Sequence, residues 1–168
     1  RVQASGIDDR KEGEPIVVFE NGSRATIPAW RTIISEVAEF APVIAYERNT
    51  VGESAWDGQP GTPDHVASRL HSLLATLEAE QPYVLVGWSL GGYFIRHYAG
   101  KYPEEIAGLV YIDPAFHSPS AIIESLRSIG SGQEGFEALN KVFKEMEELD
   151  SSPSSRAEVE WIYENYEL

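Results

Sequence analysis

The chain has 168 residues, 42% of them hydrophobic and 11% aromatic, which is ordinary for one globular domain that buries a sizeable core. Its 27 acidic and 13 basic residues give a formal net charge of −14, which disfavours nucleic acid and anionic membranes as partners. The absence of cysteine excludes disulfides and thiolate metal sites without fixing a cellular compartment. No apolar run approaches the roughly 20 residues that cross a bilayer, so we expect no membrane span.

Short apolar runs alternate with amphipathic segments along the first two thirds of the chain. The runs are typical of buried strands, and they comprise residues 15–19, 42–46, 83–87 and 106–112. Helical spacing of apolar residues is found in 30–40, 63–77 and 92–102. Asp64 is a candidate N-cap of the second helix. This alternation predicts an α/β fold, with a mostly parallel sheet and helices on both faces.

The alternation stops after Pro114. Apolar residues at helical spacing recur within 121–129 and 136–146, and a serine-rich linker precedes a last predicted helix that contains Trp161. A run of helices after four strands is typical of a separate layer over a sheet. We therefore expect residues 115–168 to form a distinct helical segment.

The motif Gly87-Trp88-Ser89-Leu90-Gly91 matches the pattern G-x-S-x-G. In that pattern the serine occupies a sharp turn between a buried strand and a helix, and the flanking glycines leave room for the turn. Here the third predicted strand leads into the motif and the third predicted helix follows it. The sequence therefore predicts that Ser89 is a nucleophile at the carboxyl edge of the sheet, beside a helix N-terminus that favours developing negative charge.

Acyl transfer at Ser89 also requires hydrogen-bond donors for an oxyanion. The first is the backbone N–H of the residue after the nucleophile, here Leu90. The second is expected from the loop after the first predicted strand, where Gly22 allows the backbone to turn toward Ser89. We assign the N–H of Ser23 as this donor, with that of Gly22 as the alternative. The competing interpretation of the loop is an ordinary Asn-Gly turn.

Three stretches around this motif, 84–92, 102–105 and 108–114, together resemble the core of the α/β-hydrolase fold superfamily. The resemblance is to serine esterases, lipases and related members that carry a helical cap. Residues 46–54 resemble the family's Tyr-Asp-Arg-x-Gly-x-Gly-x-Ser loop, with Glu47 in place of Asp and Thr50 in place of Gly. Glu20-Asn21-Gly22 replaces the commoner His-Gly, and Trp88 occupies a position where many members have His.

The resemblance implies a partial α/β-hydrolase, in which residues 1–114 form the N-terminal part of the core and residues 115–168 a cap-like helical segment. In this family the nucleophile is followed along the chain by an acid and then by a histidine. The resemblance places both after Leu168, so we expect the chain to be truncated before them and nearly inert as a fragment.

The histidines already present are weaker candidates for the base. His117 follows the fourth predicted strand and is the only one expected near the carboxyl edge of the sheet. His65, His71 and His97 lie on predicted helices, where a histidine is usually packed or solvated. Asp113 ends the fourth strand, where some family members place the acid, but its sequence context favours a structural turn.

The sequence thus predicts a serine hydrolase that acts on an ester or a related small-molecule acyl substrate. No histidine and carboxylate spacing indicates a metal site, and no glycine-rich phosphate loop indicates a nucleotide cofactor. The oligomeric state stays open. The alternative is a non-catalytic binding module or a truncated relic of a hydrolase, and the reading frame beyond Leu168 would discriminate between the two.

Overall fold

The computed structural model describes residues 1–49, 51–59 and 61–114. The described residues within Arg1–Asp57 and from Pro63 onward belong to one compact unit. Its strands are β1 (Val2–Ser5), β2 (Ile16–Glu20), β3 (Val43–Tyr46), β4 (Tyr83–Trp88) and β5 (Ile106–Ile112). Its α-helices are α1 (Arg31–Val37), α2 (Pro63–Thr76) and α3 (Leu90–Lys101), and two 3-10 turns span Ile27–Trp30 and Pro103–Glu105.

The five strands form one sheet in the order β1-β3-β2-β4-β5. Strands β2 to β5 are mutually parallel, and β1 pairs with β3 in the antiparallel sense. The predicted α/β class and its mostly parallel sheet are therefore confirmed. Strand β1 was not predicted, because its four residues are all exposed and form no apolar run.

Helices cover both faces of the sheet, as the alternating pattern predicts. On one face, Leu70 and Leu74 of α2 and Ile95 of α3 pack against β2, β3 and β4. On the other face, Trp30 and Ile34 pack against Phe19, Val43, Ala45 and Val86. Because β3 is buried on both faces, its sequence Val-Ile-Ala-Tyr is continuously apolar rather than alternating.

Two points correct or limit the sequence-based picture. Helix α2 begins at Pro63, so Asp64 lies inside its first turn instead of capping it, and the Asp64 carboxylate accepts a hydrogen bond from Lys101 at 2.5 Å. The predicted cap-like segment 115–168, including His117, lies outside the described residues. Within the described ranges, no helix has the length and apolar character that crossing a membrane requires.

Candidate active site

Ser89 forms the junction between β4 and α3 and is half-buried. Its backbone has φ 52° and ψ −120°, a conformation that costs a non-glycine residue about 1–3 kcal/mol and persists only where neighbouring structure enforces it. The Ser89 N–H donates to the carbonyl oxygen of Ile112 at 3.0 Å, and the Ser89 carbonyl accepts from the N–H of Gly92 at 3.0 Å. The sharp strand-to-helix turn expected of the G-x-S-x-G motif is present.

Close backbone packing explains the glycines around this turn. A methyl group on Gly87 would lie 2.7 Å from the carbonyl carbon of Gly91. A methyl on Gly91 would overlap the carbonyl oxygen of Glu20 and lie 2.6 Å from that of Asn21. Helix α3 can therefore start directly against the end of β2 only because position 91 lacks a side chain.

The loop that follows β2 contacts the Ser89 turn. A methyl on Gly22 would lie 3.4 Å from the Ser89 Cβ and 3.2 Å from Cε3 of Trp88. Within the described residues, the backbone N–H groups of Gly22, Ser23 and Leu90 donate no hydrogen bond. Unsatisfied N–H groups beside a helix N-terminus can stabilise an anion. The structure thus brings the predicted donors to the same edge of the sheet as Ser89.

The fully buried Asn21 side chain anchors the loop after β2 to the protein interior. Its Nδ2 donates to the carbonyl oxygen of Tyr46 at 2.7 Å, and its Oδ1 accepts from Nε1 of Trp30 at 2.6 Å. The Trp30 ring also packs edge-on against Trp88, with ring centroids 6.2 Å apart. These bonds tie the Asn21 side chain to the end of β3 and to Trp30.

A buried charged cluster lies next to the loop that follows β2. No sequence pattern predicted a role for it. Glu20 is 1% exposed and Arg48 6% exposed. The Arg48 Nη1 is 2.5 Å from Oε1 of Glu20, and the Tyr46 hydroxyl donates to the other Glu20 oxygen. Burial, followed by the negative charge of Glu20, raises the pKa of the Tyr46 hydroxyl well above its ordinary value. The sequence did contain an indication of this cluster, because Glu20 and Arg48 lie at the carboxyl ends of β2 and β3, which are adjacent parallel strands.

Glu47 organises the loop after β3. Its Oε2 accepts from the N–H of Glu53 at 2.9 Å, and its Oε1 from the N–H of Ile27 at 3.3 Å. Gly52 has φ 59°, and a methyl there would overlap the Glu47 carboxylate. The Glu47 carboxylate therefore joins the loop that follows it to the 3-10 turn that begins at Ile27.

The described histidines pair with carboxylates away from Ser89. His65 Nε2 is 3.0 Å from Asp57, and His71 Nδ1 is 3.0 Å from Glu105. His97 Nε2 is 3.8 Å from Asp64. In the part of the chain that the structure describes, none of the three forms a hydrogen bond with Ser89.

Asp113 occupies the turn that follows β5. It is exposed and has φ 43°, in the left-handed region that Asp tolerates better than most residues. This geometry is that of a turn residue.

The family profile described as alpha/beta hydrolase fold matches residues 15–139. This range includes β2 to β5, the Ser89 turn and the loop of Gly22. The chain therefore belongs to the α/β-hydrolase fold family.

Individual curated relatives match between half and two thirds of the chain. The uncharacterized protein YqjL of Bacillus subtilis is 28% identical over 99 residues, which are 59% of this chain and 39% of YqjL. Lipase LipV of Mycobacterium tuberculosis is 35% identical over 86 residues, or 51% of this chain and 32% of LipV. The chain thus spans less than half the length of these curated relatives.

Among solved structures, one from a crystallographic study of carboxylesterases of the thaumarchaeon Nitrososphaera gargenis matches with a TM-score of 0.60. The identity is 20%, and the match covers 68% of this chain and 41% of that one. At this identity the likeness demonstrates the shared fold.

Proposed function

We propose that Ser89 is the nucleophile of a serine hydrolase that acts on an ester or a related small-molecule acyl substrate. The observation that carries the proposal is the left-handed backbone of Ser89 at the junction of β4 and α3, in contact with the loop of Gly22. Open α/β sheets bind ligands at the carboxyl ends of their strands, which is where this serine lies. A strained, half-exposed serine beside unsatisfied N–H groups suits attack on a carbonyl.

In the proposed reaction, Ser89 Oγ transfers its proton to a general base as it bonds to the carbonyl carbon. The carbonyl oxygen becomes an oxyanion, which accepts hydrogen bonds from the N–H groups of Leu90 and Ser23, with Gly22 as the alternative to Ser23. The bond to the leaving alcohol then breaks, and the alcohol takes the proton from the base. The same base then deprotonates a water molecule, which attacks the acyl-serine; the acid leaves as the base returns that proton to Ser89 Oγ.

We assign the base and its acid partner to residues outside the described ranges. The three described histidines are paired with Asp57, Glu105 and Asp64 rather than with Ser89. Without base and acid, a serine hydrolase loses several orders of magnitude in rate. We therefore expect Ser89-dependent hydrolysis of an activated ester to require a base and an acid in addition to the described residues.

The names of the relatives support the substrate class. LipV is named a lipase, and the thaumarchaeal structure comes from a study of carboxylesterases. Both names denote hydrolysis of carboxylic esters. Esters, lactones, thioesters and amides all present the carbonyl carbon that the proposed mechanism requires.

The test is covalent labelling of the full-length gene product with a fluorophosphonate, followed by peptide mass spectrometry. We expect one label per molecule on the peptide that contains Ser89, together with hydrolysis of p-nitrophenyl butyrate. Ser89→Ala should abolish both signals, whereas Ser35→Ala, which removes an exposed serine hydroxyl on α1, should change neither. An unlabelled Ser89, or turnover that survives Ser89→Ala, would refute the proposal and favour a non-catalytic module.

A further inference from the structure

The guanidinium of Arg48 binds the loop after β2 through two successive carbonyl groups. Its Nη1 donates to the carbonyl oxygen of Asn21 at 2.6 Å, and its Nη2 donates to that of Gly22 at 2.8 Å. Only 6% of this residue is exposed. A planar guanidinium with its donors in a fixed fork is suited to two oxygens that are held side by side.

Peptide geometry links these two carbonyls to the N–H groups of the candidate site. The Asn21 carbonyl and the Gly22 N–H belong to one peptide unit, and the Gly22 carbonyl and the Ser23 N–H belong to the next. In a planar trans peptide the C=O and N–H bonds point in opposite directions. A group that draws both carbonyls toward the protein interior therefore turns both N–H groups outward.

Neighbouring residues hold the guanidinium itself in place. Glu20 supplies the opposite charge at 2.5 Å, and the Phe94 ring of α3 lies 4.9 Å below the guanidinium carbon. The Glu20 carboxylate is fixed in turn by the Tyr46 hydroxyl. A buried ion pair alone adds little net stability, because desolvation offsets the attraction. The bonds to two backbone carbonyls satisfy further donors of the buried guanidinium and at the same time tie it to one loop.

We propose that Arg48 is a positioning residue for the loop of Gly22, whose N–H groups would bind the oxyanion. This proposal rests on the function proposed for Ser89. By holding the carbonyls of Asn21 and Gly22, Arg48 keeps the N–H groups of Gly22 and Ser23 directed toward the oxyanion before substrate arrives. Preorganised donors stabilise a transition state because they need no rearrangement during the reaction. Arg48 thus acts on the reaction through the loop, without touching the substrate.

Arg48→Lys tests the proposal because it keeps the positive charge and removes the fork that reaches two carbonyls. The matched control is Arg10→Lys. Arg10 also bridges two backbone carbonyls, those of Glu14 at 2.6 Å and Gln81 at 2.9 Å, but these residues precede β2 and β4 at the opposite edge of the sheet.

The measured quantity is the ratio of kcat/KM for p-nitrophenyl butyrate to that for its thiono analogue, in the full-length gene product. Sulfur accepts hydrogen bonds poorly, so turnover of the thiono ester depends little on oxyanion donors. Since loss of one such donor typically costs about 10²–10³ in kcat, we expect Arg48→Lys to lower the ratio at least about tenfold. Arg10→Lys should leave the ratio unchanged.

A purely structural role would reduce both activities equally and leave the ratio constant, and this result would overturn the proposal. If Arg48→Lys does not fold, the double variant Glu20→Gln/Arg48→Met removes both charges of the Glu20–Arg48 pair together and should lower the ratio in the same way; an unchanged ratio there would also overturn the proposal. Turnover that survives Ser89→Ala would instead refute the proposed function, so the two failures are distinguishable.

Discussion

Replacement of glycine by alanine should have opposite effects on stability at two positions of helix α3. Gly91 and Gly100 lie in the same helix. A methyl on Gly91 would overlap the Glu20 carbonyl oxygen, whereas a methyl on Gly100 meets no described atom within 4 Å. Replacement of glycine by alanine inside a helix stabilises it by roughly 0.5–1 kcal/mol when space is available. Gly100→Ala should therefore raise the free energy of unfolding.

Gly91→Ala should lower that free energy. The obstacles are backbone carbonyls of Glu20 and Asn21, which cannot rotate away as a flexible side chain would. Forcing a methyl into such a site typically costs about 1–3 kcal/mol, which exceeds the gain in helix propensity. Because Arg48 holds the same Asn21 carbonyl, displacement of this peptide should also disturb the loop of Gly22.

Urea unfolding followed by fluorescence of the chain's four tryptophans measures both variants. Midpoints convert to free energies through a common slope if the two transitions are equally steep. We expect the two variants to differ by about 2 kcal/mol, with Gly91→Ala the less stable. Equal midpoints, or a more stable Gly91→Ala, would refute the backbone contact between α3 and β2.

Three further predictions concern single groups. Burial raises the pKa of Tyr83 to about 12 from 10.0, so its stabilising effect is complete below pH 10 and is lost as the pH rises toward 12. Tyr83→Phe should therefore lose less stability than the wild type over that interval in urea titrations, and an equal loss would contradict the raised pKa of Tyr83. The free energy of unfolding of Ser89→Gly should exceed that of Ser89→Ala by about 1 kcal/mol, because glycine adopts this φ without strain. Equal values would show that the Ser89 backbone is not strained. Asn21→Ala leaves the buried Trp30 Nε1 unpaired and should cost about 1–3 kcal/mol in thermal unfolding. Ser35→Ala, on the surface, should stay within about 0.5 kcal/mol of the wild type.

The parallel part of the sheet could be predicted because local patterns determine it. Each of β2 to β5 is a short β-branched run, and the glycines around Ser89 indicate the turn between β4 and α3. Strand β1 has no such pattern. Its residues pair with β3 through backbone hydrogen bonds in a register from Val2 with Tyr46 to Ser5 with Val43, and such bonds leave no trace in side-chain polarity.

The support beneath the loop of Gly22 depends on contacts between residues far apart in sequence. Arg48 meets Glu20 across 28 positions, and Asn21 meets Tyr46 across 25. Local periodicity cannot reveal such pairs. These pairs can be inferred only when β2 and β3 are known to be parallel neighbours, because the carboxyl ends of the two strands then lie side by side. The residues are evident in the sequence, but their adjacency is not.

The contact between Gly91 and the end of β2 has an evolutionary consequence. The spacing between the start of α3 and the end of β2 is set at Gly91, where main chain meets main chain. The exposed side chain of Ser23 takes no part in this contact and can therefore be exchanged without altering that spacing. The side chains that border the site can change during evolution while the main-chain contact at Gly91 stays the same.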